Sequence, residues 1–255
     1  GPAVGHLACG AVGIGRLAPL EEILFGIEKL LAPGDYSGER VLVTAGGARE
    51  AIDPVRYLGN RSSGRMGAAL ARVFALRGAS VTLVAGAMEV PPPPGVEVVR
   101  VESTAEMAAA VMARAEEATI VVMAGAPADF RPAEAKPRKI KREGTETLAL
   151  TLVPTEDIAA AVGARKRPGQ LLVAFAAETE DLLANARKKL ARKSADLVVA
   201  NDVTEEGSGF GTETNRVHLL TASQTVSLPL LSKEEAAWAI ADALRAIRLG
   251  RMLDG

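Results

Sequence analysis

The sequence predicts an α/β, Rossmann-like fold: a mostly parallel sheet with helices on both faces, a basic flap and a C-terminal antiparallel pair of strands. Two observations predict it. Short apolar runs that end in glycine or polar residues alternate with amphipathic segments, as in successive βαβ units. Serine precedes several amphipathic segments and glycine follows them, which are helix start and stop signals. Hydrophobic residues make up 48% of the 255, enough for a buried core.

The first 36 residues differ from the rest of the chain. Residues 1–19 are rich in glycine and lack a hydrophobic period, which predicts a loop without a core of its own. Residues 18–34 carry apolar side chains near period 3.6 and end in Pro-Gly, which predicts a helix. We therefore expect a tail and linker over 1–36 and one α/β domain over 37–255.

The elements of that domain follow in regular order. Ser62 or Ser63 is predicted to cap its first helix, and Ser103 with Glu106 matches a capping box for the second. Four prolines at 91–94 predict a stiff turn. Six strands are predicted, over residues 41–47, 80–86, 96–101, 119–125, 171–178 and 196–202, and the first and fourth of them are predicted to be buried.

The alternation is interrupted at 127–150 by a polar, basic segment, which predicts a flap that returns along a strand. The run KPRKIKR has three interpretations: a nucleic-acid or targeting patch, a solvated charge run, or a mobile flap that closes over a polyphosphate. The near-neutral chain and the scarcity of aromatic residues disfavour nucleic acid. The run contains five cations: Lys136, Arg138, Lys139, Lys141 and Arg142.

The C-terminal part predicts a different arrangement. A glycine-rich loop over 205–215 is followed by two strand-like runs, 215–221 and 225–231, which we expect to pair antiparallel. Ser232 and Glu235 then form a capping box for a closing helix.

Composition excludes several classes of protein. Net charge is −1 and aromatic residues are 3%, so no nucleic-acid partner is expected. A single cysteine, Cys9, forms no internal disulfide, so a cytoplasmic location is expected. No apolar run approaches the roughly 20 residues of a membrane span, and no signal peptide is visible.

The loop after the first strand of the domain carries the strongest local signal. It contains Gly46, Gly47 and Gly64, and the last of these stands beside the serine pair at a helix start. Backbone N–H groups there favour phosphate, although a tight capped turn would look the same. Neither a G-K-[ST] ending nor a GxGxxG fingerprint is present. Asn60 is either an Asx turn or an amide donor to a carbonyl oxygen that develops negative charge.

Charged side chains follow other strand ends. Lys189 and Lys193 share one helix face with spacing four, and they either contact phosphate or are exposed helix charges. Carboxylates near strand ends are candidates to orient Mg²⁺ around phosphates, and the sequence does not rank them. They are Asp129, Asp157, Glu178 and Asp202.

These blocks, in this order, resemble phosphopantothenate–cysteine ligase, the synthetase half of the bifunctional flavoprotein of coenzyme A biosynthesis. The blocks are GGAREAIDPVRYLGNRSSGRMGAALA, PADFRPAEAKPRKIK, AFAAETED and ANDV, and the resemblance runs from about residue 40 to 247. LACGAVGIGRLAPLEEI resembles the end of the decarboxylase half, in which Cys9 matches a catalytic cysteine. The flavin-binding body that would precede it is absent from the sequence, so no FMN is expected.

The resemblance implies a two-step reaction. The carboxylate of 4′-phosphopantothenate attacks the α-phosphate of CTP, and pyrophosphate leaves an acyl-cytidylate. The amine of L-cysteine then displaces CMP to give 4′-phosphopantothenoylcysteine. Mg²⁺ is the implied metal, with ligands unknown; a homodimer and a decarboxylase domain in the full-length protein are the implied partners.

The resemblance also implies residue roles. Asn60 and Lys139 are the catalytic candidates. Arg56, which would reach substrate across a dimer interface, is a substrate-binding candidate together with Asn60, Ala126 and Asp129. The nucleotide-binding candidates are Gly46, Gly47, Ser62, Ser63, Gly64, Asp129, Lys139, Glu156, Asp157, Ile158, Phe175, Lys189 and Lys193.

Two alternatives stay open. One is a catalytically silent, nucleotide-binding regulatory subunit of the same fold, which intact Asn60 and Lys139 disfavour. The other is a Rossmann-type dehydrogenase, which the missing dinucleotide fingerprint disfavours. One departure bears on the nucleotide: the family's N-P-D-I segment reads Thr155-Glu156-Asp157-Ile158 here.

Overall fold

The computed structural model describes residues 2–142, 147–205, 207–209 and 211–253. Parts of the predicted basic flap (143–146) and of the glycine-rich loop (206 and 210) lie outside those residues. The strands described, β1 to β14 in chain order, are Ala3–His6, Val12–Arg16, Arg40–Ala45, Arg49–Ala51, Tyr57–Gly59, Ser80–Ala85, Glu97–Arg100, Ile120–Met123, Phe130–Pro132, Leu152–Pro154, Leu171–Glu178, Leu197–Asp202, Thr214–Leu220 and Thr225–Ser232. The helices described, α1 to α6, are Leu20–Leu31, Arg65–Leu76, Thr104–Ala115, Ile158–Ala164, Leu182–Arg192 and Lys233–Arg248.

An eight-stranded sheet organises the chain in the order β14-β13-β12-β11-β8-β3-β6-β7. The six strands from β12 to β7 are parallel, and β13 and β14 extend the edge antiparallel. The chain runs outward from β3 through β6 to β7, and then from β8 to β12 on the other side. This doubly wound order confirms the predicted α/β, Rossmann-like fold, and its switch point lies between β3 and β8.

Alternate residues of the strands pack on opposite faces of the sheet. Val43 belongs to the core cluster built with α2 and α6, whereas Leu42 belongs to the cluster built with α3 and α4. Both faces are therefore buried, which explains why β3 is a continuous apolar run instead of an alternating one. Among the described helices, none is long and apolar enough to cross a membrane.

The N-terminal loop prediction was wrong. β1 and β2 form an antiparallel hairpin whose strands pair only with each other among the described elements. Its apolar residues Val4, Val12 and Ile14 are about 70% exposed, so the hairpin has no buried face that a hydrophobic period could mark. The helix that follows is confirmed at Leu20–Leu31.

The serine cap of α2 was also wrong. The N-cap of α2 is Gly64, whose φ of 76° lies in the left-handed region, and no side chain caps the helix. Ser63 is instead buried, and its carbonyl oxygen accepts a hydrogen bond from the amide of Glu89. The capping box at Ser232 and Glu235 is confirmed.

The remaining differences between prediction and structure concern a helix cap, the flap and several short elements. Ser103 caps α3 as predicted, but the carboxylate of Glu106 accepts from the amide of Glu102 instead of that of Ser103. The flap does return along a strand, since β9 and β10 pair antiparallel. The β4–β5 hairpin and α4 are elements that the sequence patterns did not predict, because three-residue strands and a seven-residue helix are too short to show a period.

Candidate active site

The loops that follow β3 and β8 meet at the switch point. The amide of Ala126 donates to the carbonyl oxygen of Gly46 at 2.8 Å, and the amide of Ala48 donates to that of Ala126 at 3.1 Å. Gly46 has a φ of 78°, and a Cβ there would collide with the carbonyl oxygen of Ala87. Only glycine allows this close approach, so the floor of the crevice depends on Gly46.

The amino end of α2 is brought to the same point by Gly67. A Cβ at Gly67 would lie 2.5 Å from the Cβ of Ala45 and 2.8 Å from the carbonyl oxygen of Thr44. The helix therefore packs directly on the end of β3, as the third glycine of a dinucleotide fingerprint would allow. Gly46 and Gly67 do this without the G-x-G-x-x-G spacing, so the sequence motif does not reveal the arrangement.

A cavity of about 230 Å³, cavity A, lies beside β8, β11 and α4. Asp157 caps α4 by accepting from the amide of Ala160, and its carboxylate also pairs with Lys193 at 3.1 Å. Burial raises the pKa of Asp157, but the Ala160 and Lys193 contacts outweigh it and hold that pKa below its usual range. The lining includes seven predicted nucleotide-binding residues: Asp129, Glu156, Asp157, Ile158, Phe175, Lys189 and Lys193.

A second cavity of about 360 Å³, cavity B, lies over the amino end of α2. Asn60 lines it, and its amide nitrogen donates to the carbonyl oxygen of Pro127 at 3.0 Å. The predicted residues that line cavity B are Asn60, Ser62, Ser63, Gly64, Ala126, Asp129, Phe175 and Lys189. Asn60 and the serine–glycine loop therefore line the same cavity.

Cavities A and B share one wall, formed by Gly125, Asp129, Phe175 and Lys189. The ammonium of Lys189 donates to the carbonyl oxygen of Phe175 at 3.2 Å and lies 3.4 Å from the carboxylate of Glu178. Burial lowers the pKa of Lys189, and the Glu178 carboxylate partly offsets that effect. The ammonium group of Lys189 is therefore held in place where cavities A and B meet.

Lys233 is a site residue that the sequence did not reveal. It lines cavity B, is only 8% exposed, and donates to the carbonyl oxygen of Thr214 at 3.0 Å and to the hydroxyl of Thr212 at 3.2 Å. Burial lowers its pKa. Since a lysine just after a helix cap is usually solvated, no sequence signal marked it. Asn201 and Arg65 also line cavity B and were missed as site residues.

Four of the predicted substrate- and nucleotide-binding residues lie outside cavities A and B. Lys139 is exposed and lines neither cavity A nor cavity B. Arg56 lines neither cavity, and its guanidinium binds the carboxylate of Asp53 at 2.5 Å and the carbonyl oxygen of Ile140 at 2.6 Å. Gly46 and Gly47 shape the crevice without lining either cavity.

Asp53 joins the β4–β5 hairpin to the basic flap. It is 3% exposed and accepts from the amide of Ile140 at 3.1 Å as well as from Arg56. Burial raises the pKa of Asp53, but the hydrogen bonds from Arg56, Ile140 and Val55 outweigh it, so the pKa lies well below its usual range. No local pattern in the sequence marks this contact, because Ile140 is 87 residues away from Asp53.

No cluster of three or more His, Cys, Asp or Glu side chains able to hold a metal ion occurs in the described part of the chain. Of the four carboxylates considered for Mg²⁺, Asp129 is the one that lines both cavities. Asp157 and Glu178 face lysines, and Asp202 accepts from the amide and hydroxyl of Thr204.

Comparisons with known proteins agree with this architecture. The family model of the DNA/pantothenate metabolism flavoprotein C-terminal domain matches residues 36–247. Coenzyme A biosynthesis bifunctional protein CoaBC of Vibrio cholerae is 44% identical over 241 residues, which cover 94% of this chain and 60% of the relative. The chain thus spans less than two thirds of that relative's length.

Solved structures give the same result. The crystal structure of the C-terminal domain of a coenzyme A biosynthesis bifunctional protein CoaBC is 36% identical, with a TM-score of 0.71, over 85% of this chain and 97% of that one. The DNA/pantothenate metabolism flavoprotein from Streptococcus pneumoniae is 26% identical, with a TM-score of 0.70, over 82% and 100% of the two chains. This chain belongs to the family of the DNA/pantothenate metabolism flavoprotein C-terminal domain.

Proposed function

We propose that this chain is a CTP-dependent phosphopantothenate–cysteine ligase of coenzyme A biosynthesis, acting in the cytoplasm. The observation that carries the proposal is the shared wall of cavities A and B. A nucleotide in cavity A would bring its α-phosphate to Asp129 and Lys189. An acyl substrate in cavity B would place its carboxyl end beside Asn60, next to the same wall. The 44% identical relative is a coenzyme A biosynthesis protein, which supports the substrate class.

In the first proposed step the carboxylate of 4′-phosphopantothenate attacks the α-phosphate of CTP. Lys189 and Lys193, at the wall and mouth of cavity A, would offset the charge of the triphosphate. Lys139 lies on the exposed basic segment, and it would reach the phosphates when that segment closes and the hydrogen bond from the amide of Ile140 to Asp53 is released. Mg²⁺, held chiefly by phosphate oxygens with Asp129 as the protein carboxylate, would supply further charge neutralisation when bound.

In the second proposed step cysteine displaces CMP from the acyl-cytidylate. The developing oxyanion needs a donor that does not compete as a base, and the amide of Asn60 meets that need. The carbonyl of Pro127 orients this amide toward the Ala126 loop. Ala126 lines the same cavity and would contact the acyl chain.

A pyrophosphate assay tests the function directly. With CTP and phosphopantothenate but no cysteine, we expect release of about one pyrophosphate per site and a trapped acyl-cytidylate. Cysteine should then permit turnover. A silent regulatory subunit would bind CTP without releasing pyrophosphate, and a dehydrogenase would instead oxidise or reduce substrate with a nicotinamide cofactor.

The nucleotide preference is a separate prediction. The side chain of Asp157 is already engaged by Ala160 and Lys193, so base recognition would fall on backbone groups of residues 155–158. We expect kcat/KM for CTP to exceed that for ATP by at least about tenfold, the effect of roughly 1.4 kcal/mol. Steady-state kinetics with each nucleotide decide this, and equal values would reject the preference.

We also propose a homodimer that completes the site. The Arg56 side chain is 42% exposed, and a patch of apolar side chains lies on and beside the β4–β5 and β9–β10 strand pairs, which meet where β4 contacts β9. A second copy of the chain would cover this patch and take Arg56 toward its substrate. The exposed apolar residues are Val55, Tyr57, Phe130, Leu148, Leu150 and Leu152.

Leu152→Asp is expected to weaken that dimer and lower activity, because it buries a charge in an apolar interface. Leu183→Asp is the matched control, since Leu183 and Leu152 are each 41% exposed. Sedimentation measures the oligomeric state of both variants. An active wild-type monomer would rule the dimer out.

For the tail we propose a decarboxylase origin, with 1–36 as tail and linker and 37–255 as the ligase domain. Cys9 is exposed in the turn of the β1–β2 hairpin. Leu20, Leu30 and Leu31 of the following segment are 70–87% exposed. A decarboxylase domain in a longer protein would cover these apolar side chains, and this piece alone would bind no flavin.

A further inference from the structure

A third cavity, cavity C, lies beside cavity B. It has a volume of about 410 Å³ and adjoins cavity B at Asn60 and Ser62, which line both. Its other lining includes Arg49, Arg61 and Glu89. Cavity C therefore opens beside the proposed acyl carbon, and it carries both signs of charge.

Arg49 is presented to cavity C in a fixed orientation. Its backbone amide donates to the carbonyl oxygen of Glu102 at 2.8 Å, and its guanidinium carbon lies 4.7 Å from the ring centre of Tyr57. Register pairs Arg49 with Gly59 and Ala51 with Tyr57, so the two side chains are diagonal neighbours across the hairpin. Stacking on Tyr57 occupies the face of the guanidinium and leaves its N–H edges available.

Those N–H edges suit a carboxylate. Within the described ranges, the guanidinium of Arg49 makes no ion pair, and neither does that of Arg61. A planar guanidinium binds a carboxylate through two parallel hydrogen bonds. Two such groups in one cavity indicate an anionic ligand group.

The rest of cavity C complements the other parts of an amino acid. The exposed carboxylate of Glu89 is available for an ammonium group. Met88 and Ala87, which also line the cavity, provide an apolar and polarisable surface for a small sulfur side chain. A carboxylate, an ammonium and a thiol are the three functional groups of cysteine.

We propose that cavity C is the binding site for cysteine, with Arg49 and Arg61 holding its carboxylate and Glu89 its ammonium. This inference rests on the proposed function. The amine, once deprotonated, attacks the acyl carbon of the acyl-cytidylate across Asn60; the C–N bond forms, and the bond from the acyl carbon to the phosphate oxygen breaks. CMP leaves with the electron pair. Two protons are released from the nitrogen, one before attack and one from the new amide, and both reach water through the open cavity.

The test compares cysteine with cysteamine, which has the amine and the thiol but no carboxylate. Arg49→Gln should raise the KM for cysteine by about 10- to 100-fold, the loss of a charge-assisted hydrogen-bond pair, with kcat/KM for cysteamine unchanged. Arg49→Lys keeps the charge but cannot form two parallel hydrogen bonds. Its KM for cysteine should lie between that of the wild type and that of Arg49→Gln. Arg61→Gln should also raise the KM for cysteine. Glu89→Gln should raise KM for both amines, because both carry an ammonium.

Arg114→Gln is the control, because Arg114 lines a cavity with Arg40 and Ser80 at the amino ends of β3 and β6, the end of the sheet opposite to the candidate site. It should leave both amine substrates unaffected. Equal losses for cysteine and cysteamine in Arg49→Gln would indicate a disturbed hairpin and overturn the inference, as would unchanged KM values in both arginine variants. A wild-type protein that releases no pyrophosphate without cysteine would instead overturn the proposed function, and this inference with it.

Discussion

Asn60→Asp is expected to form acyl-cytidylate but to pass it on to cysteine about 10²–10³-fold more slowly, the usual cost of losing one donor to a developing oxyanion. The wild-type amide donates to the carbonyl oxygen of Pro127 at 3.0 Å, and a carboxylate there would repel both that carbonyl and the oxyanion. Lys139→Gln should affect the other step. It should slow the first step, because the flap cation would no longer stabilise charge on the phosphates.

Single-turnover assays with labelled CTP and no cysteine separate the two steps. Lys136→Gln is the control for the flap, since Lys136 is three residues from Lys139 but already pairs with Glu134 at 2.8 Å. Asn185→Asp is the control for the amide, because Asn185 also donates to a backbone carbonyl, that of Glu180. If Asn60→Asp blocks acyl-cytidylate formation as completely as Lys139→Gln, the division of labour is wrong.

The second large effect concerns stability. Gly67→Ala should lower the free energy of unfolding by about 1–3 kcal/mol, the typical cost of overpacking. The new methyl group would lie 2.5 Å from the Cβ of Ala45 and 2.8 Å from the carbonyl oxygen of Thr44, and β3 is central in the sheet and cannot move aside. Because α2 would be displaced from the end of β3, CTP-dependent activity should fall with stability.

Gly26→Ala is the matched control. Gly26 is also a helical glycine, but a Cβ there meets nothing within 4 Å. Its replacement should raise stability by about 0.5–1 kcal/mol, because alanine loses less backbone entropy than glycine in a helix. Urea titrations of the three proteins measure both changes. Equal stability of Gly67→Ala and the wild type would show that α2 does not need the close contact.

Strong hydrophobic patterns explain most of what could be predicted about the fold. β3, β11 and β12 are buried runs and were located within a few residues, and α6 was located by its capping box. The prediction failed where the determining contact is not local. Gly64, not Ser62 or Ser63, starts α2, because the loop turns back so that the Ser63 carbonyl meets the amide of Glu89. The exposed β1–β2 hairpin had no buried face to predict it.

The same distinction between local patterns and long-range contacts applies to the candidate site. The sequence by itself determined the α/β class with its mostly parallel sheet, the strand-end loops that carry Asn60 and Asp129, and the helix that carries Lys189, because periodicity and glycine placement are local properties of the chain. Only the tertiary structure decided that Lys233 enters cavity B and that the amide of Ile140 donates to the carboxylate of Asp53. Those contacts join residues far apart in the chain, so they exist only after the sheet and its loops have packed.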